Sequence, residues 1–194
     1  LVDIDSDGCE FDTMEIKHKE CFCPNIIAHW RLQAVSKHAR EAVEFVNLYS
    51  KWRGSNRWPA LVKVFDLLRE RPEVKARGVE IPRVPQIRRW IEEGTALSND
   101  TLAERVNQTD DAELRRALEW SEAVNRTIAE MVHGVPPFPW MRESLQKLDG
   151  RADIVVVSGA PREAVRREWQ EHEIAGCVRA IAGQEQGNKP EQIK

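Results

Sequence analysis

An α/β fold, in which a parallel sheet is interrupted by a large all-helical insertion, is what this sequence predicts, and three observations carry the expectation. The apolar start Leu1-Val2-Asp3-Ile4 runs straight into Asp5-Ser6-Asp7-Gly8, as a strand runs into a turn. From Glu15 to about His133 apolar residues recur at helical spacing almost throughout. Beyond that block, Ala152-Asp153-Ile154-Val155-Val156-Val157-Ser158 is a β-branched run of the kind buried on both faces of a parallel sheet.

In chain order, Phe22, Ile26 and Trp30 lie four residues apart beside Cys23 and Ile27, and Pro24 should kink or restart that helix. Ser36 can cap a helix with the apolar face Ala39, Val43 and Val46. Pro59 suits the first turn of a helix carrying Leu61, Val64, Phe65 and Leu68, which Arg71-Pro72 should stop. Val79 to Pro85 reads as a connector, and Gln86 to Glu93 as a short helix ended by Gly94. Asp110 with Glu113 makes a capping box for a long helix through Met131, closed by Gly134. Pro136-Pro137-Phe138-Pro139 is a stiff connector and Met141 to Leu148 a helix. After the β-branched run, Gly159-Ala160-Pro161 opens a helix through about His172, Val178 to Ala182 is a second short strand, and Gly183 to Asn188 a polar loop. Strand, helix, strand at this spacing is a right-handed βαβ unit.

Composition narrows the function. The 194 residues carry a net charge of −3, with 41% hydrophobic and 31% charged residues, which describes a globular chain with no electrostatic reason to bind nucleic acid or an anionic membrane. No apolar run approaches the ~20 residues of a membrane helix, and no signal-peptide pattern opens the chain. Cysteines 9, 21, 23 and 177 read as the reduced thiols of a cytoplasmic protein. Leu1-Val2-Asp3-Ile4 reads as a strand already under way, with residues expected before it.

The chemistry concentrates in the first stretch. Two carboxylates at a strand end suit a hard cation, which wants oxygen ligands, or a division of labour between nucleophile and general acid/base. Asp3, Asp5, Asp7 and Gly8 begin a calcium-loop pattern, but its twelfth position is Met14 instead of Glu, and the pattern fails. In α/β sheets ligands sit at the carboxyl ends of the strands, where Asp5, Asp7 and Ser158 all fall. Ser158 before Gly159 and a helix start offers a hydroxyl and backbone N–H groups to an anion, and Lys189 a compact positive charge. Together they outline a phosphate-sized pocket, in which carboxylates tolerate phosphate only with a cation between them.

Asp5-Ser6-Asp7-Gly8-Cys9-Glu10-Phe11-Asp12-Thr13 resembles motif I of the haloacid dehalogenase-like (HAD) hydrolases, with Cys9 where the family most often has Thr or Val. Ile154-Val155-Val156-Val157-Ser158 is similar to motif II, and Gly187-Asn188-Lys189 to motif III. The resemblance implies a Rossmann-like parallel-sheet core, 1–13 with 141–194, and an inserted helical cap, 14–140. It implies a Mg²⁺-dependent phosphatase acting on a small phosphorylated metabolite through an aspartyl-phosphate. Asp5 would be the nucleophile and Asp7 the general acid/base, both beside Mg²⁺, with Ser158, Gly159 and Lys189 around the phosphoryl group. A phosphomutase and a catalytically idle helical interaction module are the alternatives. The family's acidic G-D-x-x-x-D segment, a further metal ligand, is expected after another strand beyond Lys194. Without it, weak Mg²⁺ binding and poor solubility are expected.

Asp12 with Thr13 reads as a helix cap, and tryptophans at helical spacing as core. The loop Lys51-Trp52-Arg53-Gly54-Ser55-Asn56-Arg57-Trp58 reads equally as a charged turn or as a substrate-facing stretch, because Gly54 and Arg57 resemble a Gly-x-x-Arg segment of sugar-phosphate members of the family.

Overall fold

The computed structural model describes residues 1–187 and 189–193. Asn188, in the middle of the third motif-like segment, and Lys194 lie outside the described residues. In chain order the elements are β1 (Val2–Ile4), α1 (Met14–Ile16), α2 (Cys23–His29), α3 (Ser36–Glu44), α4 (Arg57–Glu70), α5 (Pro72–Ala76), α6 (Pro85–Glu92), α7 (Asn99–Thr109), α8 (Ala112–Met131), α9 (Met141–Leu148), β2 (Ile154–Val157), α10 (Arg162–Glu171), β3 (Ala180–Ala182) and α11 (Lys189–Gln192). They divide into two compact units, Leu1–Met14 with Ala129–Lys194, and Glu15–Ile128.

The first unit holds a three-stranded parallel sheet in the order β1-β2-β3, with Ile4 opposite Val156 and Val156 opposite Ile181. Ile154 and Val156 point into a core with Phe11, Leu145, Val165, Trp169 and Ile174, which α9 and α10 help to close. Phe11 meets the Trp169 ring edge to face at 6.0 Å.

The helical unit is held by a chain of buried indoles. Trp58 packs against Trp90 and Trp120, and Trp30 against Trp120 and Phe65, with centroids 5.2–5.6 Å apart and all four contacts T-shaped. Between α1 and α2 the backbone widens into a π-helical turn, Lys17–Phe22, and runs on without a break into α2, which has Pro24 in its first turn. Proline has no N–H to give and its ring clashes with the carbonyl four residues back, so a wider turn ahead of it relieves both problems. Asn56 caps α4, its Oδ1 accepting from Trp58 N at 3.1 Å.

The expectation of a Rossmann-like α/β core with an all-helical cap is corrected by the architecture. Helix dominates the chain, and the sheet is only three strands of three, four and three residues. The strand is shorter than the β-branched run 152–158 suggests, and at its start Ala152 N still bonds to Leu148 O, which keeps that residue in the turn after α9. Capping also differs in detail. Asp111, not Asp110, accepts from Glu113 N and Leu114 N at the start of α8, while Asp110 takes a left-handed conformation at the end of α7. Ser36 lies inside α3 and does not cap it. Among the described residues no helix is long and apolar enough to cross a membrane.

Candidate active site

Asp5 and Ser158 follow directly from paired strands. With Ile4 opposite Val156, Asp5 leaves β1 and Ser158 leaves β2 at the same, carboxyl end of the sheet. A hollow of about 490 Å³ lies at the amino end of β2 among Asp153, Ile154, Cys177 and Arg179, away from these groups. The candidate site therefore rests on side-chain chemistry and not on cavity volume.

The loop after β1 folds tightly on itself. The N–H groups of Cys9, Glu10 and Phe11 all point to Ser6 O at 2.9–3.4 Å, and Gly8 N donates to Phe11 O at 2.8 Å. Gly8 takes φ +74°, the left-handed conformation that a side chain would resist. Ser6 is fully buried and its Oγ accepts from Trp169 Nε1 at 3.1 Å, which anchors the loop to α10. Two backbone and side-chain donors then orient the carboxylates. Ser6 N donates to Asp5 Oδ1 at 2.9 Å, and Thr13 Oγ1 donates to Asp7 Oδ1 at 2.6 Å.

Lys189, from the far end of the chain, places its Nζ 2.5 Å from Asp5 Oδ2. Asp5 is thus held at both oxygens, one by a backbone N–H and the other by a cation. Ser158 is buried, and its Oγ accepts from Ala160 N at 3.1 Å, leaving the hydroxyl proton to donate elsewhere. The expected backbone donors ahead of α10 are partly engaged from within: Arg162 N faces the Glu185 carboxylate at 3.1 and 3.3 Å. The Gly159 position is open, with nothing within 4 Å of where a Cβ would stand.

Glu10 sits in the same loop with no exposed surface, and neither carboxyl oxygen has a hydrogen-bond partner. Burial without compensation disfavours its charged form and pushes its pKa up to about 7.

For Mg²⁺ the donor chemistry fits. A hard cation of this size takes one or two carboxylates and completes its shell with other oxygens, water and substrate phosphate; Asp5 would supply a carboxylate and Asp7 its backbone carbonyl. Among the described residues no group of three or more His, Cys, Asp and Glu converges.

Gly54 and Arg57 belong to the helical unit. Gly54 is an exposed turn residue at φ +79°. Arg57 Nη1 donates to Ser121 Oγ at 2.7 Å, Asn125 Oδ1 at 2.9 Å and Ser121 O at 3.3 Å, and its guanidinium lies 5.2 Å over the Phe22 ring. Burial draws its pKa down to about 10. This is a cation fixing α4 to α8, a structural role that a charged-turn reading of the sequence does not contain.

The structure brings Asp5, Ser158 and Lys189 to one end of the sheet with Asp7 in the adjoining loop, and it adds residues that sequence reasoning missed. Thr13, read as a helix cap, puts its hydroxyl on Asp7. Trp169 holds Ser6, and Gln192 donates to three carbonyls around Lys189. No protein-family model matches the chain, and no curated protein matches it.

Proposed function

We propose that this chain is a Mg²⁺-dependent phosphohydrolase of the haloacid dehalogenase-like kind, acting on a small phosphorylated metabolite through an aspartyl-phosphate. The observation that carries the proposal is the Lys189 Nζ to Asp5 Oδ2 pair, 2.5 Å long, beside the carboxyl end of β2. A carboxylate oriented by Ser6 N and neutralised by a lysine is a nucleophile that an approaching phosphate dianion does not repel.

In this reading an Asp5 oxygen attacks phosphorus, forming the acyl-phosphate bond as the ester P–O bond breaks. Asp7 gives its proton to the leaving oxygen. It then takes a proton from the water that attacks phosphorus, and the P–O bond to Asp5 breaks to release phosphate and restore the carboxylate. Thr13 holds Asp7 in place through its 2.6 Å hydrogen bond. Ser158 Oγ–H and the Lys189 ammonium hold phosphoryl oxygens as charge redistributes. Mg²⁺ held by the Asp5 carboxylate and the Asp7 backbone carbonyl would supply further neutralisation of that charge. Localisation in the cytoplasm belongs to the same proposal, from the reduced cysteines, all four of which are free thiols.

The test is turnover of p-nitrophenyl phosphate by the purified protein with Mg²⁺, its loss on adding EDTA, and its loss in Asp5→Asn. Undiminished turnover by a folded Asp5→Asn protein overturns the assignment.

A further inference from the structure

Lys189 stands at the first position of α11, a helix of four residues that Ile193 N closes from beyond by donating to Lys189 O at 3.2 Å. One turn cannot hold itself, because nucleating a helix costs more than its first hydrogen bond returns. Something outside the helix must fix it. Gln192 lies on the same turn, and its Nε2 is 2.8 Å from Gly183 O, 2.9 Å from Gly187 O and 3.1 Å from Ser158 O. A carboxamide has two N–H hydrogens, so one of them is shared between acceptors. Those three carbonyls belong to the end of β3, the turn before Lys189, and the turn after β2.

The other half of the amide is left without a partner: Gln192 Oε1 is buried and accepts nothing. An acceptor buried without a protein partner costs stability, so the side chain is held here by what its Nε2 donates. The loop between β3 and α11 is tied to the Ser158 turn elsewhere as well, through Gln184 N to Ala160 O at 2.9 Å and through Glu185 on Arg162 N. Gln192 joins that turn to the helix that bears Lys189.

We infer that Gln192 is a positioning residue, which sets the Lys189 ammonium against Asp5 by clamping α11 to the carbonyls of Ser158, Gly183 and Gly187. The inference rests on the phosphohydrolase reading for its chemical meaning. It assigns the placement of the phosphate-binding cation to hydrogen-bond donation by one carboxamide.

The test is a double-mutant cycle with p-nitrophenyl phosphate and Mg²⁺, using Q192E, K189A and the double variant. Q192E keeps the size of the side chain and replaces its donors with an acceptor that the three carbonyls repel. It is expected to lower kcat/KM about tenfold to a hundredfold in the wild-type background and less than about twofold in K189A, because the clamp acts through Lys189. Equal losses in both backgrounds would make Gln192 a general stabiliser, and no loss in either would make it a bystander; each overturns the inference. Hydrogen exchange separates this from failure of the functional reading. A wild type without phosphatase activity sinks that reading and the chemical role with it. Faster exchange at Gly187 and Ile193 in Q192E would then still establish the clamp, and unchanged exchange would remove it too.

Discussion

Glu10→Gln tests the energetics of the loop that carries the two aspartates. Glu10 is fully buried, its two carboxyl oxygens are unpartnered, and burial moves its pKa from the ordinary 4.5 to about 7. The folded state therefore holds this proton more tightly than the unfolded chain does. The stability it contributes is fully present below about 4.5, declines as pH rises, and is lost once pH passes about 7. A displacement from 4.5 to about 7 corresponds to roughly 3 kcal/mol between acid and alkaline limits. Glutamine cannot ionise, so its variant should lack this component. Urea unfolding at intervals from about pH 5 to about pH 9 should show the wild type losing roughly 2–3 kcal/mol relative to Glu10→Gln across that range, at constant m. Glu10→Leu, which removes the buried polar group altogether, should gain most at alkaline pH. Parallel pH profiles for wild type and Glu10→Gln would refute the argument, as would an NMR titration placing the Glu10 carboxyl in the ordinary range.

Asp7→Asn should let phosphoenzyme form but not turn over, so that rapid acid quench traps a labelled protein; absence of label in both wild type and Asp7→Asn would remove the covalent scheme. Thr13→Val should lower kcat about tenfold with little change in stability, because it deletes the hydroxyl that donates to Asp7 Oδ1 while keeping the shape of the side chain. Gly183→Ala should destabilise by about 1–3 kcal/mol in denaturant unfolding, since its Cβ would stand 2.4 Å from Arg162 N and 2.6 Å from Arg162 Cα, and backbone atoms cannot rotate away. Arg57→Ala should cost the helical unit about 2–4 kcal/mol of stability, measured by loss of ellipticity, because it leaves the Ser121 and Asn125 acceptors without their donor.

What could be read from the sequence follows from how local each signal is. Asp5, Ser158 and Lys189 stand out because each closes a short segment whose composition announces its geometry: an apolar strand into a glycine turn, a β-branched run into a helix start, a polar loop after a strand. Pro24 marks where this helix must adjust, but the kink or restart expected there is instead a π-helical turn through which the helix runs on, and such a turn has no sequence period of its own. The extent of the sheet was not visible, since a β-branched run shows where a strand can form but not how much of it finds a partner. Of the seven residues 152–158, Ile154–Val157 forms β2, while Ala152 N is still held by Leu148 O. Thr13, Trp169 and Gln192 were hidden for a different reason. Their partners lie across the fold, Trp169 and Ser6 being 163 positions apart, and nothing in the spacing of one reports the other. Arg57 is half legible: its loop reads as a charged turn or a substrate-facing stretch, and its guanidinium donates to Ser121 and Asn125 on α8.

The pairing of β1 with β2 has a kinetic consequence. Val2 lies beside Ile154, so this sheet closes a loop that contains the whole of Glu15–Ile128. Loop closure costs entropy that grows as the logarithm of length, and contacts of such wide separation form late. The helical unit is contiguous, and once compact it brings its two ends under control and shortens the stretch of free chain that the sheet must close. During synthesis, at about 5–20 residues per second, the strand leading into Asp5 is made first and then waits several seconds for β2. Lys189 arrives later still. The aspartate and the lysine that faces it can therefore meet only after the helical unit and all three strands have been made.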